Sequence, residues 1–483
     1  MEKGDFQEKK IRQKKVNDLR LLGINPYPST VAVGMSVAES RELGEGAKKV
    51  KIAGRIVSFR QMGKLTFANI KDETAKIQIA FKEDSIGKSK YDFLNFLNVG
   101  DFVSVTGNLF KTKKGELTVQ VTDFNLLTKA LMPLPEKWHG LKDQELRFRK
   151  RYLDLLSSNQ VFELFKLRSK FIKNVRNFFE QKDFLEVETP VLENIPGGAD
   201  AEPFVTHHNT LDFDLYLRIS LELHLKRLLV GGYERIFEIG KVFRNEGMST
   251  QHLQEFTMLE FYIAYKDYNF LMKFVPDLYR YAIKNTFGSL KIDYQGIELD
   301  FDQGWKTIDY VKAIKEKTGV DVVKAADNEI KEAIKKFKVR TDIKAGRGRL
   351  IDQLYKKMVR PELVQPTILI NLPVAVSPLA KRHFDKPELA ERMVIVAAGI
   401  EIGNGFSELN DPQDQKERFL EQMKLRKAGD KEAQMTDNDF IEALEYGMPP
   451  AAGFGVGLDR LFMILAGADS IREVVLFPTM KDK

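Results

Sequence analysis

From Val50 to Lys129 apolar and polar residues alternate in short runs: VKIAGRIVSFR, KLTFANIKD, AKIQIAF, DFVSVTGNLFKT and ELTVQVTDFNLLTK. A period of two marks half-buried strands, and five of them at regular spacing, with Gly, Asp and Lys turns, predict a small β-barrel. Upstream, EKKIRQKKVNDLRLLG lays dense charge over a weak helical period. It predicts a surface helix or a basic arm, ended by INPYP because proline breaks helices. Downstream, KALMPLPEKWHGLKD carries two prolines and interrupts the alternation, which sets a boundary near residue 135.

Beyond that boundary the period lengthens. RYLDLLSSNQVFELFKLRSKFIKNVRNFFEQKDF repeats apolar residues at three- and four-residue steps and predicts one long helix. FLEVETPVL follows as a strand ending at proline. Strands expected around 203–219, 235–244, 256–264 and 392–409 alternate with helices, the pattern of a mixed α+β domain. Residues 311–345 are rich in Lys and Glu with a helical period, and read as an inserted helical subdomain. The expected organisation is an N-terminal helix and arm over 1–49, a barrel over 50–135 and an α+β domain over 136–483.

Composition narrows the class without naming it. Of 483 residues, 43% are hydrophobic and 30% charged, which describes a globular chain rather than a disordered or membrane one. No apolar run approaches the ~20 residues of a spanning helix, and MEKGDFQEKK lacks the apolar core of a secretory signal. With no cysteine there are no disulfides, cysteine zinc sites or thiol catalysis, which suits a cytoplasmic setting. The excess of 76 basic over 69 acidic residues, +7, fits either a solvated basic enzyme or a binder of phosphate polymers.

Three constellations carry candidate chemistry. In FRNEGMSTQHLQEFTMLEFY, two strand-like segments flank a polar loop, so Phe256, Met258, Glu260 and Tyr262 would share one face with Arg244 nearby. In EIGNGFSEL, Ile402, Asn404, Phe406 and Glu408 would share a face, with Glu401 on the other or at its edge. Charged groups in core strands are costly unless paired, so each array reads as a structural polar network or as a site. In AAGFGVGLDRLFMILAG, Gly453, Gly455 and Gly457 alternate on a strand and permit close approach of a flat ligand or another backbone. The GxGxG spacing and its C-terminal place exclude a dinucleotide fingerprint.

These features, with FLEVETP, resemble the three signature motifs of class II aminoacyl-tRNA synthetases. NVRNFFEQKDFLEVETP, up to Pro190, matches the first, a helix and a strand ending in proline. FRNE matches the Arg-x-Glu of the second, and GFGVGLDR the third. IPGGADAEPFVTHHNTLDFDLYLRIS, ELHLKRLLVGGYERIFEI and EIGNGFSELND are most similar to the lysyl branch, over nearly the whole chain.

The resemblance implies an N-terminal OB-fold barrel, a class II catalytic domain built on an antiparallel sheet flanked by helices, and a homodimer. It implies ATP and lysine as substrates, Mg²⁺ as cofactor and tRNA(Lys) as partner. On that reading Arg244 and Arg460 are catalytic, and ATP lies against Arg244, Glu246, His252, Phe256, Glu401, Gly457 and Arg460. Lysine lies against Gly198, Glu222, Glu260, Tyr262, Asn404, Phe406 and Glu408, and metal ligands are Glu401 and Glu408. Anticodon bases meet Arg60, Phe67, Gln78 and Glu116. Strand alternation alone would instead make Phe67 core.

Some positions depart from the family pattern. STQHLQEF stands where Arg-His-Asn-Pro precedes Glu-Phe, so Gln251 and Leu253 replace an arginine and an asparagine. Val394 stands where the family has a metal-binding glutamate, and His224 replaces a tyrosine as a packing change. An aspartyl or asparaginyl enzyme on the same scaffold would need a cationic pocket, whereas Glu222, Glu260 and Glu408 make an anionic one. A ligase that modifies proteins would lack the barrel. A non-catalytic RNA-binding paralogue would be expected to have lost Arg244 or Arg460, and both stand.

Overall fold

The computed structural model describes residues 3–134, 143–341, 345–430 and 432–481. Two compact units, Met1–Leu141 and Lys142–Lys483, divide the chain. The boundary expected near residue 135 lies at the edge of 135–142, outside the described residues.

In the first unit, β1 (Val50–Met62), β2 (Leu65–Lys71), β3 (Lys76–Lys82), β4 (Phe102–Lys111) and β5 (Leu117–Thr128) close into a barrel in the order β1-β2-β3-β5-β4. Alternation puts Ile52, Ile70, Ile79, Val105 and Val119 inside. The charged N-terminal segment is a helix, Lys3–Leu21, and not a free arm. Val16 and Leu19 are buried, and Arg12 Nη1 donates to the Val99 carbonyl at 3.0 Å.

In the second unit the strands are β6 (Leu185–Glu186), β7 (Leu192–Glu193), β8 (Val205–His208), β9 (Phe213–Leu217), β10 (Arg235–Phe243) and β11 (Glu255–Ala264). Then come β12 (Lys291–Tyr294), β13 (Ile297–Asp300), β14 (Lys306–Asp309), β15 (Thr367–Pro373), β16 (Leu389–Ala397), β17 (Ile400–Ser407) and β18 (Ala451–Gly457). The main sheet runs β14-β15-β16-β17-β18-β11-β10-β6. Its pairs are antiparallel from β15 to β10 and parallel at the two ends. This is the expected α+β architecture, an antiparallel sheet flanked by helices.

Three details differ from the sequence pattern. The strands around 203–219 leave the main sheet and form a separate one, β7-β9-β8. The segment 392–409 is a hairpin, turned by Ala398 and Gly399 at φ 51° and 69°, the left-handed pair that tight hairpins favour. The long helix is two, Arg151–Ser157 and Asn159–Glu180. Ser158 starts the second by accepting from Val161 N at 3.3 Å, a cap that the continuous apolar stripe hides.

One face of the sheet packs on the helices Asn159–Glu180, Tyr268–Phe287 and Leu458–Leu465. The contact is rich in phenylalanine: Phe179 stacks on Phe237 with ring centroids 4.7 Å apart, and Phe261 and Phe454 lie in the same core. Each such side chain contributes roughly 1.5–3 kcal/mol on burial. Asp459 locks the third helix to the sheet, because its Oδ2 accepts from Thr257 N at 2.8 Å and its Oδ1 from Arg168. The opposite face is left for the site. The insertion comprises helices Tyr310–Thr318, Asp327–Lys336 and Arg347–Met358, so it runs past residue 345. Its core includes Val394 and Val396 of β16.

Candidate active site

A cavity of about 280 Å³ opens on that second face. β11 supplies its floor: Phe256, Met258, Glu260 and Tyr262 all line it, while Leu259, Phe261 and Ile263 enter the core behind. Across β18 the glycines sit in register with this floor, Gly453 beside Tyr262, Gly455 beside Glu260 and Gly457 beside Met258. A Cβ on Gly453 would lie 2.2 Å from Glu408 Oε1 and 2.4 Å from Tyr262 Cε1. The close approach predicted for the glycines is thus made by protein side chains at Gly453, whereas at Gly457 the nearest atom, on Phe256, is 3.8 Å away.

At one end the cavity is acidic. Glu260 Oε1 accepts from Ser220 Oγ at 2.7 Å and Leu221 N at 3.0 Å, and its Oε2 from the Tyr262 hydroxyl at 3.0 Å. Burial, and then the neighbouring Glu222, push Glu260 up to about 7 against those hydrogen bonds. Burial likewise raises Tyr262, which stays a donor. Gly198, at φ 85°, also lines the cavity, and a Cβ there would meet Glu222 and Ser220 at 2.9 Å, so glycine is required. Asn404 Oδ1 accepts from Arg392 Nε at 2.8 Å beside Phe406.

Glu408 lies beneath this end rather than on the cavity wall. Its Oε2 is 2.5 Å from Lys226 Nζ, which is also 2.6 Å from Glu222 Oε1. Burial raises Glu408 well above the usual carboxylate range, with Lys226 opposing. The pairing of Glu401 and Glu408 as ligands of one metal ion needs correction. Seven residues along an extended strand, at about 3.3 Å each, separate them by roughly 20 Å, and Glu408 is already engaged by Lys226.

At the other end the cavity is cationic. Arg244 follows β10, its guanidinium 5.3 Å from the Phe256 ring centre, and its Nε donates to the Ile219 carbonyl at 3.3 Å. Arg460 reaches in from the helix after Gly457, toward the Gln251 and Glu401 carbonyls at 3.4 Å each. Burial lowers the proton affinity of both, and neighbouring glutamates oppose that shift. His252 accepts from or donates to Ser249 Oγ at 2.7 Å. Burial, then Arg460, Lys356, Arg360 and Arg244, hold it down at about 4, so it is neutral at pH 7. Glu246, raised by burial, completes the loop. Leu253 lines the cavity and packs into the core behind it, and Val394 is buried under the insertion, off the cavity.

Glu401 faces this cavity, and it is Ile402, expected on the face of Asn404 and Phe406, that departs from the alternation by packing into the core. The register of β16 on β17 shifts between Ile395 and Val396, leaving Ile402 unpaired. That bulge sends Ile402 into the core and turns Glu401 to the face of Asn404 and Phe406.

The four barrel candidates also converge. Arg60 pairs with Phe67 across β1 and β2, Asn69 with Gln78, and Gln78 with Thr118, two residues after Glu116. Phe67 is half-buried on the outer face, and its neighbours Thr66 and Ala68 point inward, so it is not core. Lys226, Ser220 and Arg392 were invisible as site residues. Lys226 had a signal, an acid–base pair at i, i+4 in the apolar helix ELHLKRLLV.

Comparison with known proteins agrees with this geometry. The family model for class II tRNA synthetases (D, K and N) matches residues 143–481, and that for the OB-fold nucleic acid binding domain matches 50–127. A lysine–tRNA ligase of Thermoanaerobacter sp. (strain X514) is 50% identical over 479 residues, 98% of this chain and 96% of that one. One from Thermotoga maritima is 49% identical over 488 residues, 99% and 96%. One from Aquifex aeolicus is 50% identical over 449 residues, 92% and 75%. With the two domains in order and half the residues shared over almost its whole length, the chain belongs to the lysine–tRNA ligase family of class II synthetases.

Proposed function

We propose that this cavity joins lysine to AMP and passes the lysyl group to the 3′ end of tRNA(Lys). The observation that carries the reading is that one cavity is lined both by the buried carboxylates Glu222 and Glu260 with Tyr262 and by the arginines Arg244 and Arg460 with His252. A lysine carboxylate is ionised at pH 7, so its attack on the α-phosphorus of ATP needs no general base. It needs alignment and screening of like charge, and stabilisation of the phosphoryl oxygens as the bond to pyrophosphate breaks. Arg244, at the cationic end but near enough to Glu260 to feel its charge, can bridge the carboxylate and the α-phosphate through its fork. Arg460 and neutral His252 receive the outer phosphates, and Phe256 offers a face for adenine. Glu260 takes the α-ammonium, with Gly198 alongside; Tyr262, Asn404, Phe406, Glu222 and Glu408 surround the side chain.

A magnesium ion fits at Glu401, as an ion held mostly by triphosphate oxygens and water with one protein carboxylate. It would screen the phosphate charge. Among the described residues no cluster of three metal-ligating side chains is present.

The test is ATP–pyrophosphate exchange with each of the twenty amino acids. Exchange with lysine alone supports the reading; exchange with none, from folded protein, overturns it. Because Glu260 must be ionised to hold the α-ammonium and its free-enzyme pKa is near 7, lysine binding should weaken as pH falls. The lysine KM should rise roughly tenfold for each pH unit below that value. A lysine KM flat from pH 8 to 6 would remove Glu260 from this role.

The outer barrel face is proposed to bind the anticodon, with Phe67 as a stacking platform. Phe67→Ala should raise the tRNA KM by about tenfold or more, since a stacked base contributes ~1–3 kcal/mol, and leave pyrophosphate exchange unchanged. Equal loss in both assays would refute the assignment. A homodimer is proposed through the first motif, where Leu185, Val191 and Leu192 are exposed together with Val205 and Leu211. Sedimentation as a monomer at micromolar concentration would exclude it. No helix among the described residues is long and apolar enough to cross a membrane, and the proposal puts the chain in the cytoplasm, where tRNA is charged.

A further inference from the structure

Lys226 puts an ammonium group beneath the acidic end of the cavity, between Glu222 and Glu408. It is fully buried, and its Nζ lies 2.6 Å from Glu222 Oε1, 2.5 Å from Glu408 Oε2 and 3.5 Å from the Leu379 carbonyl. The Phe406 and Phe440 rings, with centres at 5.3 Å and 6.0 Å, flank it. A buried cation so placed is expensive unless its partners are ionised. Neither buried Glu408 oxygen has a well-aligned hydrogen bond among the described residues; Oε2 is held by the Lys226 ion pair, and Oε1 has no partner there at all. It points at Gly453, where a Cβ would come within 2.2 Å, so the missing side chain is what leaves this oxygen its space beside Tyr262.

We infer that Lys226 is a positioning and specificity residue: it neutralises one of the pocket carboxylates and holds Glu408 by one oxygen, keeping the other for the amino acid's side-chain ammonium. The charge count follows from the residues present. When ionised, Glu222, Glu260, Glu408 and Asp200 carry four negative charges, and Lys226 and Arg392 two positive, which leaves two. Lysine brings two ammonium groups, and its carboxylate lies toward Arg244. An amino acid with one ammonium leaves a buried carboxylate unpaired, which must then take up a proton. Without Lys226 even lysine would leave one unpaired. This inference rests on the reading of the cavity as a lysine site.

Other charged groups reach the same place. Arg392 and Asp200 act on Glu222, and Arg244 stands beyond Glu260. None of them pairs with Glu408, so they do not replace Lys226.

The test is Lys226→Met, which keeps the length and apolar stem. The expected result is a lysine KM raised about tenfold or more at pH 7.5, with kcat and the ATP KM changed by less than about threefold. The variant's lysine KM should also rise more steeply than the wild type's between pH 8.5 and 6.5, because Glu408 then competes for a proton. A purely structural lysine would not move that pH profile. If Lys226→Met does not fold, the double variant Lys226→Met/Glu222→Gln, which leaves no carboxylate stranded on the same helix, is compared with Glu222→Gln alone. A wild-type lysine KM and pH profile in folded Lys226→Met, or no difference between the double and single variants, overturns the inference. Wild-type protein that exchanges pyrophosphate with no amino acid would instead overturn the lysine reading itself.

Discussion

Arg244→Ala is expected to lower lysine-dependent ATP–pyrophosphate exchange by roughly 10³-fold or more, the range for arginines that stabilise a transferring phosphoryl group. The loss should appear mainly in kcat, because the charge that Arg244 meets is largest while the phosphoryl group is in transit. Stability should change little. Burial works against the Arg244 charge in the free protein, and the guanidinium's one hydrogen bond among the described residues, to the Ile219 carbonyl, is long at 3.3 Å. The measurement is exchange at saturating ATP and lysine, beside a melting curve. A variant that keeps exchange within tenfold of the parent would show that Arg460 and the loop carry the phosphoryl charge without it.

The second large effect is expected from one methyl group. Gly453→Ala places a carbon 2.2 Å from Glu408 Oε1 and 2.4 Å from Tyr262 Cε1, far inside any contact distance. Something must shift, and both neighbours belong to the acidic end. Since a displacement of about 1 Å in a positioned group can cost 10²-fold, the lysine KM should rise by about that factor, while the ATP KM holds. Gly457→Ala is the control. It has the same chemistry on the same strand, but its nearest contact is 3.8 Å away. If both variants bind lysine alike, the spacing of Gly453 has no bearing on the pocket.

Both predictions depend on side chains that the sequence places on one face. For β11 this was legible, because an unbroken period of two leaves Phe256, Met258, Glu260 and Tyr262 no other arrangement. For β17 it was not, because a bulge at Ile402 resets the period and nothing local in EIGNGFSEL marks it. The barrel was legible from five alternating runs, but strand alternation could not tell which face Phe67 takes. That depends on closure, which joins β1 to β4 across 50 residues of chain. Lys226 escaped notice for a different reason. A lysine in a helix is usually solvated, and only the fold brings Glu408, far along the chain, to meet it. The division of 151–180 into two helices turned on a single serine hydroxyl within an uninterrupted apolar stripe.

The bulge at Ile402 makes the placing of the Glu401 carboxylate a matter of counting. Every substitution at Ile402 keeps Glu401 on the cavity side, since the extra residue remains in the strand whatever its side chain. Deleting Ile402 removes the extra residue and leaves Glu401 two places before Asn404, so plain alternation keeps it on the cavity side, whereas one more residue inserted there, with the bulge kept, would turn it toward the phenylalanine-rich core. This strand should therefore accept the loss of a residue at that point far more readily than the gain of one.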